Sequence, residues 1–270
     1  MRRSGSIVSL IGAVLLVLAS SAQATVPDPY PHAARSYLMV RDGKVLWERD
    51  VDERLQPASL VKLLTALVVL DAHWNADRWI TISAHAAAVP PAKIGLRAGE
   101  QITAGAALAA MLIRSANDAC RALAESVEQD PTAFAARMNE RAAALGMQHS
   151  HFVDPCGFDA PGQYSTVQDL FILAQAARAV PLLARLTATP EAQLTTRGGR
   201  SVRFASTNQL LGRLEGTLGM KTGYTTQAGQ CLIAYVQRGG HDVWLIMLGG
   251  TQRWWLSHGM INDAFDAIAR

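Results

Sequence analysis

Two stretches near the end of the chain, Cys231–Val236 and Val243–Leu248, are almost wholly apolar and lie either side of Arg238-Gly239-Gly240. Apolar runs of that length bounded by glycines predict strands that are central in a sheet and covered on both faces. A further strand is predicted through Thr217–Thr222. Far earlier, Ser36–Val40 and Val45–Arg49 flank Asp42-Gly43, a dipeptide suited to a tight hairpin turn.

Between these β regions the pattern turns helical. Ser59–His73 is one predicted helix, and Thr103 to about Val127 is a broken pair. Asp130 caps a third, with Pro131 at its first position and Gly146 past its end. Ser165-Thr166 starts a fourth, with Gln168 or Asp169 available for a capping box and Pro181 as its stop. A last helix is predicted around His258–Ile268. Strands at both ends with helices between predict an α/β fold: an antiparallel sheet from both chain ends, flanked by helices, plus a mostly helical lobe. No repeat, low-complexity stretch or long linker divides it.

The first 24 residues stand apart. Arg2 and Arg3 precede an apolar run from Ile7 to Ala19, then Ala22-Gln23-Ala24. This is the layout of a cleaved signal peptide over 1–24, leaving 25–270 as a single two-lobed domain. The apolar run falls short of the ~20 residues that cross a bilayer, so no stable membrane anchor is expected. Loss of Arg2 and Arg3 lowers the formal charge from +3 to +1, which argues against a nucleic-acid partner. A chain half hydrophobic and only 17% charged is not disordered. Export implies an oxidising compartment, yet Cys120, Cys156 and Cys231 are odd in number. At most one internal pair can form and sequence does not say which; the apolar surroundings of Cys120 and Cys231 favour buried, inert thiols.

Low charge makes one residue conspicuous. The predicted helix from Ser59 to Leu70 is apolar on every side, and Lys62 is its only charge. A buried ammonium responds by losing its proton or finding partners. Ser59 lies three residues earlier on the same face, so a base stands beside a nucleophile. The plainer alternative is a lysine reaching out from the first turn and a capping serine. Two further pieces decide between them. Ser115-Ala-Asn117 breaks the helical pair, where short polar side chains are free to face a cleft. Lys221-Thr-Gly223 sits on a predicted strand just before Tyr224, and Gly223 permits close approach to the strand backbone. S-x-x-K, S-x-N and K-T-G each occur by chance, but in this order and setting the combination is specific.

With these motifs the sequence resembles the penicillin-recognising serine hydrolases. Within them it resembles the D-alanyl-D-alanine carboxypeptidase/endopeptidase family of low-molecular-weight penicillin-binding proteins, from about Ser36 to Gly250. Pro57-Ala-Ser-Leu-Val-Lys62, Ser115-Ala-Asn-Asp-Ala-Cys120 and Met220-Lys-Thr-Gly-Tyr-Thr225 carry the likeness. Phe152–Gly157, Ser165–Leu170 and Thr207–Leu211 support it. The resemblance implies a β-lactamase/transpeptidase-like fold with the active site between the lobes. It implies Ser59 as the acylated nucleophile, Lys62 as its base and Ser115 as a proton relay to the leaving amine. Asn117, Lys221, Thr222, Gly223 and Arg253 would bind substrate, and the backbone N–H groups of Ser59 and Tyr224 would form the oxyanion hole. The implied partners are peptidoglycan peptides ending in or cross-linked through D-Ala, with β-lactams as covalent inhibitors. No cofactor is expected, and the location implied is periplasmic or secreted.

There are departures. Many related carboxypeptidases continue K-T-G with histidine, where this chain has Tyr224. Cys156 stands where a small polar residue is usual near the cleft rim; an incidental substitution is favoured over a reactive thiol. The chain ends about twenty residues after its last predicted strand, so neither a carboxy-terminal β-domain nor an amphipathic anchor is expected. A class A β-lactamase is the nearest alternative, with Glu191 as the deacylating base, but its Glu-Ala-Gln-Leu context departs from that class. A non-catalytic sensor that is acylated once is a second alternative. A Ser-His-Asp hydrolase lacks its G-x-S-x-G elbow. The seven histidines show no helical metal-pair spacing, so surface histidines and no metal are expected.

Overall fold

A computed structural model describes residues 28–267; the signal-peptide reading of residues 1–24 lies outside them. Strands β1 (Ser36–Arg41) and β2 (Lys44–Arg49) form the predicted hairpin, with Asp42 and Gly43 both at positive φ. A short 3₁₀ turn, Ala58–Val61, leads into α1 (Lys62–Asp71). Then come β3 (Trp79–Thr81), α2 (Ala84–Ala88), β4 (Gln101–Thr103), α3 (Ala104–Ile113) and α4 (Asn117–Val127). Helices α5 (Pro131–Leu145), α6 (Val167–Ala179) and α7 (Pro181–Thr187) precede a hairpin of β5 (Glu191–Thr195) and β6 (Ser201–Ala205). Strands β7 (Thr217–Thr225), β8 (Gly229–Arg238) and β9 (His241–Gly250) and helix α8 (Arg253–Asp266) complete the order.

The main sheet is antiparallel in the order β2-β1-β9-β8-β7, so the two most apolar strands are interior as predicted. Alternation of side chains splits its burial between two cores. Leu38, Val40, Ile233, Ile246 and Leu248 pack towards α1, α3, α4 and α6. Tyr37, Met39, Leu232, Ala234, Leu245 and Met247 pack towards Met260, Ile261 and Ala264 of α8. With both faces covered, β7 is left as the edge that borders the helical layer.

Several helix ends follow the local chemistry. The Asp130 side chain accepts from Thr132 N, Pro131 is first in α5, and Gly146 closes it at φ +89°. At α6 the Thr166 hydroxyl caps Asp169 N. The reciprocal half of the expected box is absent, because the Asp169 carboxylate instead accepts from His149 N and Ser150 Oγ and ties down the preceding loop. Pro181 ends α6 and opens α7 at a bend of 106°. Helix α8 begins five residues earlier than predicted, at Arg253, which places that residue at the mouth of the cleft described next. The antiparallel pair β3–β4, with α2 between its strands, the β5–β6 hairpin and helices α2 and α7 have no counterpart among the expected elements.

Candidate active site

Every residue from Lys62 to Val69 of α1 is buried, as expected of a helix apolar all round. Lys62 itself is 0% exposed, which excludes a lysine reaching for solvent. Its Nζ lies 2.8 Å from Ser59 Oγ, 2.9 Å from Asn117 Oδ1 and 2.5 Å from the Cys156 carbonyl. Burial pushes the ammonium down to about 7, with the Asp154 carboxylate opposing the shift and the Arg121 guanidinium assisting it. A neutral amine has two N–H donors and one lone pair. The two carbonyl oxygens can only accept, so they take the donors, and the lone pair is left for the Ser59 hydroxyl. The preceding residue, Ala58, is left-handed at φ +48°, a strained turn that lifts Ser59 to the cleft wall.

Two glycines clamp this turn. A Cβ on Gly157 (φ +85°) would sit 2.1 Å from the Ala58 carbonyl oxygen, and one on Gly223 would sit 3.0 Å from Ser59 N. The backbone of β7 therefore passes directly against the nucleophile's amide, as anticipated for Gly223. Gly157 belongs to the Phe152–Gly157 segment, and its role against the nucleophile's turn shows only in the fold.

Opposite, Ser115 joins α3 to α4 in a left-handed conformation, φ +60°. Its Oγ accepts from Lys221 Nζ at 2.8 Å, and Lys221 also donates to the Thr222 carbonyl. Lys221 is 1% exposed, and burial together with the charges of Lys62 and Arg253 holds its ammonium well below the usual range. Its side chain thus lies behind the cleft wall, while Thr222 faces the cleft with its hydroxyl 2.7 Å from that of Thr207. Arg253 stacks on Trp254 and donates through Nη1 to the Gly223 and Cys231 carbonyls. The 580 Å³ cleft is lined by Ser59, Ser115, Asn117, Thr222, Gly223, Tyr224 and Arg253 together with loop residues 91–93 and 156–158. Tyr224 is 66% exposed at its mouth. Glu191 is exposed at the start of β5 and takes no part in the lining, which leaves the β-lactamase alternative without its base.

The chain matches the D-alanyl-D-alanine carboxypeptidase family over residues 21–252. It belongs to that family. The D-alanyl-D-alanine carboxypeptidase DacF of Bacillus subtilis is 32% identical over 252 residues, covering 90% of this chain and 65% of its own length. A D-alanyl-D-alanine endopeptidase of Pseudomonas aeruginosa is 34% identical over 194 residues, covering 71% of this chain and 62% of its own. The chain thus spans just under two thirds of the length of either. The crystal structure of a D-alanyl-D-alanine carboxypeptidase from Mycobacterium tuberculosis superposes with a TM-score of 0.82 at 29% identity, covering 90% of this chain and 94% of that one. The fold is that of the family.

Within this family member the cysteines depart from expectation. Cys120 and Cys156 form a disulfide, Cα atoms 5.9 Å apart. Cys120 is therefore not an inert thiol, and Cys156 is neither a reactive thiol nor an incidental substitution. Apolar burial suits a disulfide as well as a thiol, so composition could not separate them. Cys231 is the buried free thiol that was expected, pushed up to about 11 by burial. All seven histidines are exposed. The disulfide bridges α4 to the turn whose Cys156 carbonyl accepts from Lys62, across 36 residues of sequence. Replacing both cysteines with serine should lower unfolding stability by about 3–4 kcal/mol, on loop-closure entropy, as read by denaturant titration. Unchanged stability would show that the turn is held entirely by other bonds.

Those other bonds come from residues the sequence reading missed. Asp154 Oδ1 accepts from the backbone N–H groups of Cys156, Gly157 and Phe158, while Oδ2 pairs with Arg121 of α4 at 2.5 Å. Thr65 Oγ1 donates to the Pro155 carbonyl from α1. Asp118, fully buried, accepts from the N–H groups of Ile94, Gly95 and Leu96 and fixes the loop on the other side of the cleft. Asp118 and Arg121 stand three residues apart on α4, a spacing at which they could pair with each other, so the sequence carries no sign that each bonds off the helix.

Proposed function

We propose that this protein is a serine-type D-Ala-D-Ala peptidase that cleaves peptidoglycan stem peptides through an acyl-enzyme on Ser59 and is acylated there by penicillin. The observation that carries this reading is the 2.8 Å contact between Ser59 Oγ and the buried Lys62 amine. Lys62 takes the Ser59 proton as Oγ attacks the carbonyl between two D-Ala residues. The oxyanion is received by the N–H groups of Ser59 and Tyr224, where β7 meets the 3₁₀ turn. Ser115, oriented by Lys221, passes a proton to the leaving D-Ala amine, and water then releases the acyl group. Asn117 holds the substrate amide while also bonding Lys62, so binding and the base share one residue. Thr222 and Arg253, backed by Lys221, receive the terminal carboxylate. Removing a terminal D-Ala and cutting a D-Ala cross-link use this same set of groups.

The protein is read as a single two-lobed catalytic domain, residues 25–270, exported by the signal peptide at 1–24 to the periplasm or the cell exterior. The Cys120–Cys156 disulfide supports an oxidising compartment. Among the described residues no single helix is long and apolar enough to cross a membrane.

Incubation with labelled penicillin should modify Ser59, and purified cross-linked muropeptides analysed by mass should lose D-Ala or be cut. The working form of Lys62 is neutral, so it prevails above about pH 7 and is lost as pH falls. Labelling should therefore plateau at alkaline pH and drop about tenfold one unit below the pKa. A flat rate between about pH 5.5 and 8.5, or no adduct at Ser59, would sink the proposal.

A further inference from the structure

Two stretches of backbone close on the nucleophile's amide from different parts of the chain. In the loop that follows Cys156, a Cβ on Gly157 would fall 2.1 Å from the Ala58 carbonyl oxygen and 2.9 Å from Ser59 N. On β7, a Cβ on Gly223 would fall 2.9 Å from Ala58 Cβ and 3.0 Å from Ser59 N. Two residues beyond each glycine the same stretches meet again. Asp159 Oδ1 accepts from Thr225 Oγ1 at 2.6 Å, and Asp159 Oδ2 accepts from Gln227 N at 3.3 Å. Phe158 and Tyr224, which lie between these crossings, both line the cleft, whereas Asp159 does not.

The connections form a closed circuit, from Ser59 through Gly157 to Asp159, across to Thr225, and back through Gly223 to Ser59. Both N–H groups read as the oxyanion hole, those of Ser59 and Tyr224, belong to it. The glycine contacts stop the two stretches from moving closer to the Ser59 turn, and the Asp159 bond stops them from moving apart. β7 is the edge of the main sheet, so its pairing with β8 fixes it to the sheet and not to the loop. The loop is tied down in turn: Gln56 Nε2 donates to the Ala160 carbonyl, and Asp154 accepts from the N–H groups of Gly157 and Phe158. Thr225 Oγ1 also accepts from Ala228 N, which carries the restraint into the β7–β8 turn.

An oxyanion hole stabilises charge only when both donors lie about 2.7–3.1 Å from the oxygen, so a small displacement of one weakens it. We propose that Asp159 is a positioning residue: by holding Thr225 it sets the spacing of the Ser59 and Tyr224 N–H groups that receive the oxyanion. This rests on the peptidase reading above. Asp159 acts through Thr225 from outside the cleft, so its loss falls on the charged intermediate and not on binding of the peptide.

The test measures kcat and KM of the full mature protein on a synthetic peptide ending in D-Ala-D-Ala, beside the rate at which labelled penicillin modifies Ser59. Asp159→Ala should lower kcat and the labelling rate roughly ten- to a hundredfold, short of the loss of about 10²–10³ that follows removal of an oxyanion donor outright. KM should stay within about twofold of the wild-type value. Asp159→Asn keeps an acceptor for Thr225 and should recover most of the rate. Thr225→Val removes the other end of the bond and should show the same loss, and the double variant should lose no more than either single one. A wild-type rate in folded Asp159→Ala or in Thr225→Val, losses that multiply in the double variant, or an effect confined to KM overturns the assignment and leaves the peptidase reading standing. If Asp159→Ala does not fold, Thr225→Val against the wild type decides alone. Absence of both peptide hydrolysis and Ser59 labelling in the wild-type protein takes down the peptidase reading and this assignment with it.

Discussion

Replacing Lys62 with methionine should lower acylation of Ser59 by roughly 10²–10⁴-fold, the contribution of a positioned general base. Methionine is close in length and unbranched, so it fills the same channel through the apolar helix α1. What disappears is the lone pair facing Ser59 Oγ at 2.8 Å. Two acceptors, Asn117 Oδ1 and the Cys156 carbonyl, lose their donor, but a fully buried amine is also removed. These effects oppose one another, so stability should change far less than reactivity. Time-resolved labelling with penicillin, beside a denaturant titration of the same sample, separates them. Labelling at the wild-type rate would remove Lys62 as the base, and loss of the folded state would make the residue structural.

Asp154→Ala should have the largest effect on stability, about 3–5 kcal/mol, because it removes one partner of a buried ion pair and leaves Arg121 without the other. The pair's side chains are only 9% and 14% exposed. The same change frees the N–H groups of Cys156, Gly157 and Phe158, and with them the carbonyl that Lys62 donates to. Asp154→Asn is the milder companion: it keeps an oxygen for the turn and removes only the charge. The Asp154 carboxylate raises the Lys62 pKa, so its neutralisation lowers that pKa and moves the acid limb of the labelling profile to lower pH. A limb that stays in place or moves to higher pH would disconnect this carboxylate from the base.

What could be read from sequence were the features that repeat or stand out against their neighbours. The apolar runs of β8 and β9, the Asp-Gly turn, the proline and glycine bounding α5, and one lysine in an apolar helix are all visible along the chain. The β3–β4 pair and the β5–β6 hairpin have three to five residues per strand with few buried positions, too short for a period to emerge. The missed residues of the site share a different cause. Asp154 meets Arg121, and Cys156 meets Cys120, because α4 and the 152–158 turn pack together across more than thirty residues. Nothing in either segment alone announces the other. Asp118 illustrates the same point, since its carboxylate serves backbone N–H groups, which every residue but proline possesses. Motifs exposed the groups that perform chemistry, and the groups that hold them in place appeared only with the fold.

The order of strands in the main sheet has a consequence for when the protein becomes active. Strand β1 pairs with β9, and Asp42 accepts from Asp242 N, a contact spanning 200 residues. Closing so long a loop is slow, and no local hairpin can substitute for it. Lys221, Thr222 and Gly223 sit on the edge strand that is set in place through β8 and β9. Until that closure happens, Ser59 and Lys62 can already be neighbours on their helical turn, yet they have no opposing wall. A chain whose strands β7–β9 have not docked on the Ser59 turn therefore holds half a cleft and cannot carry out the chemistry proposed for it.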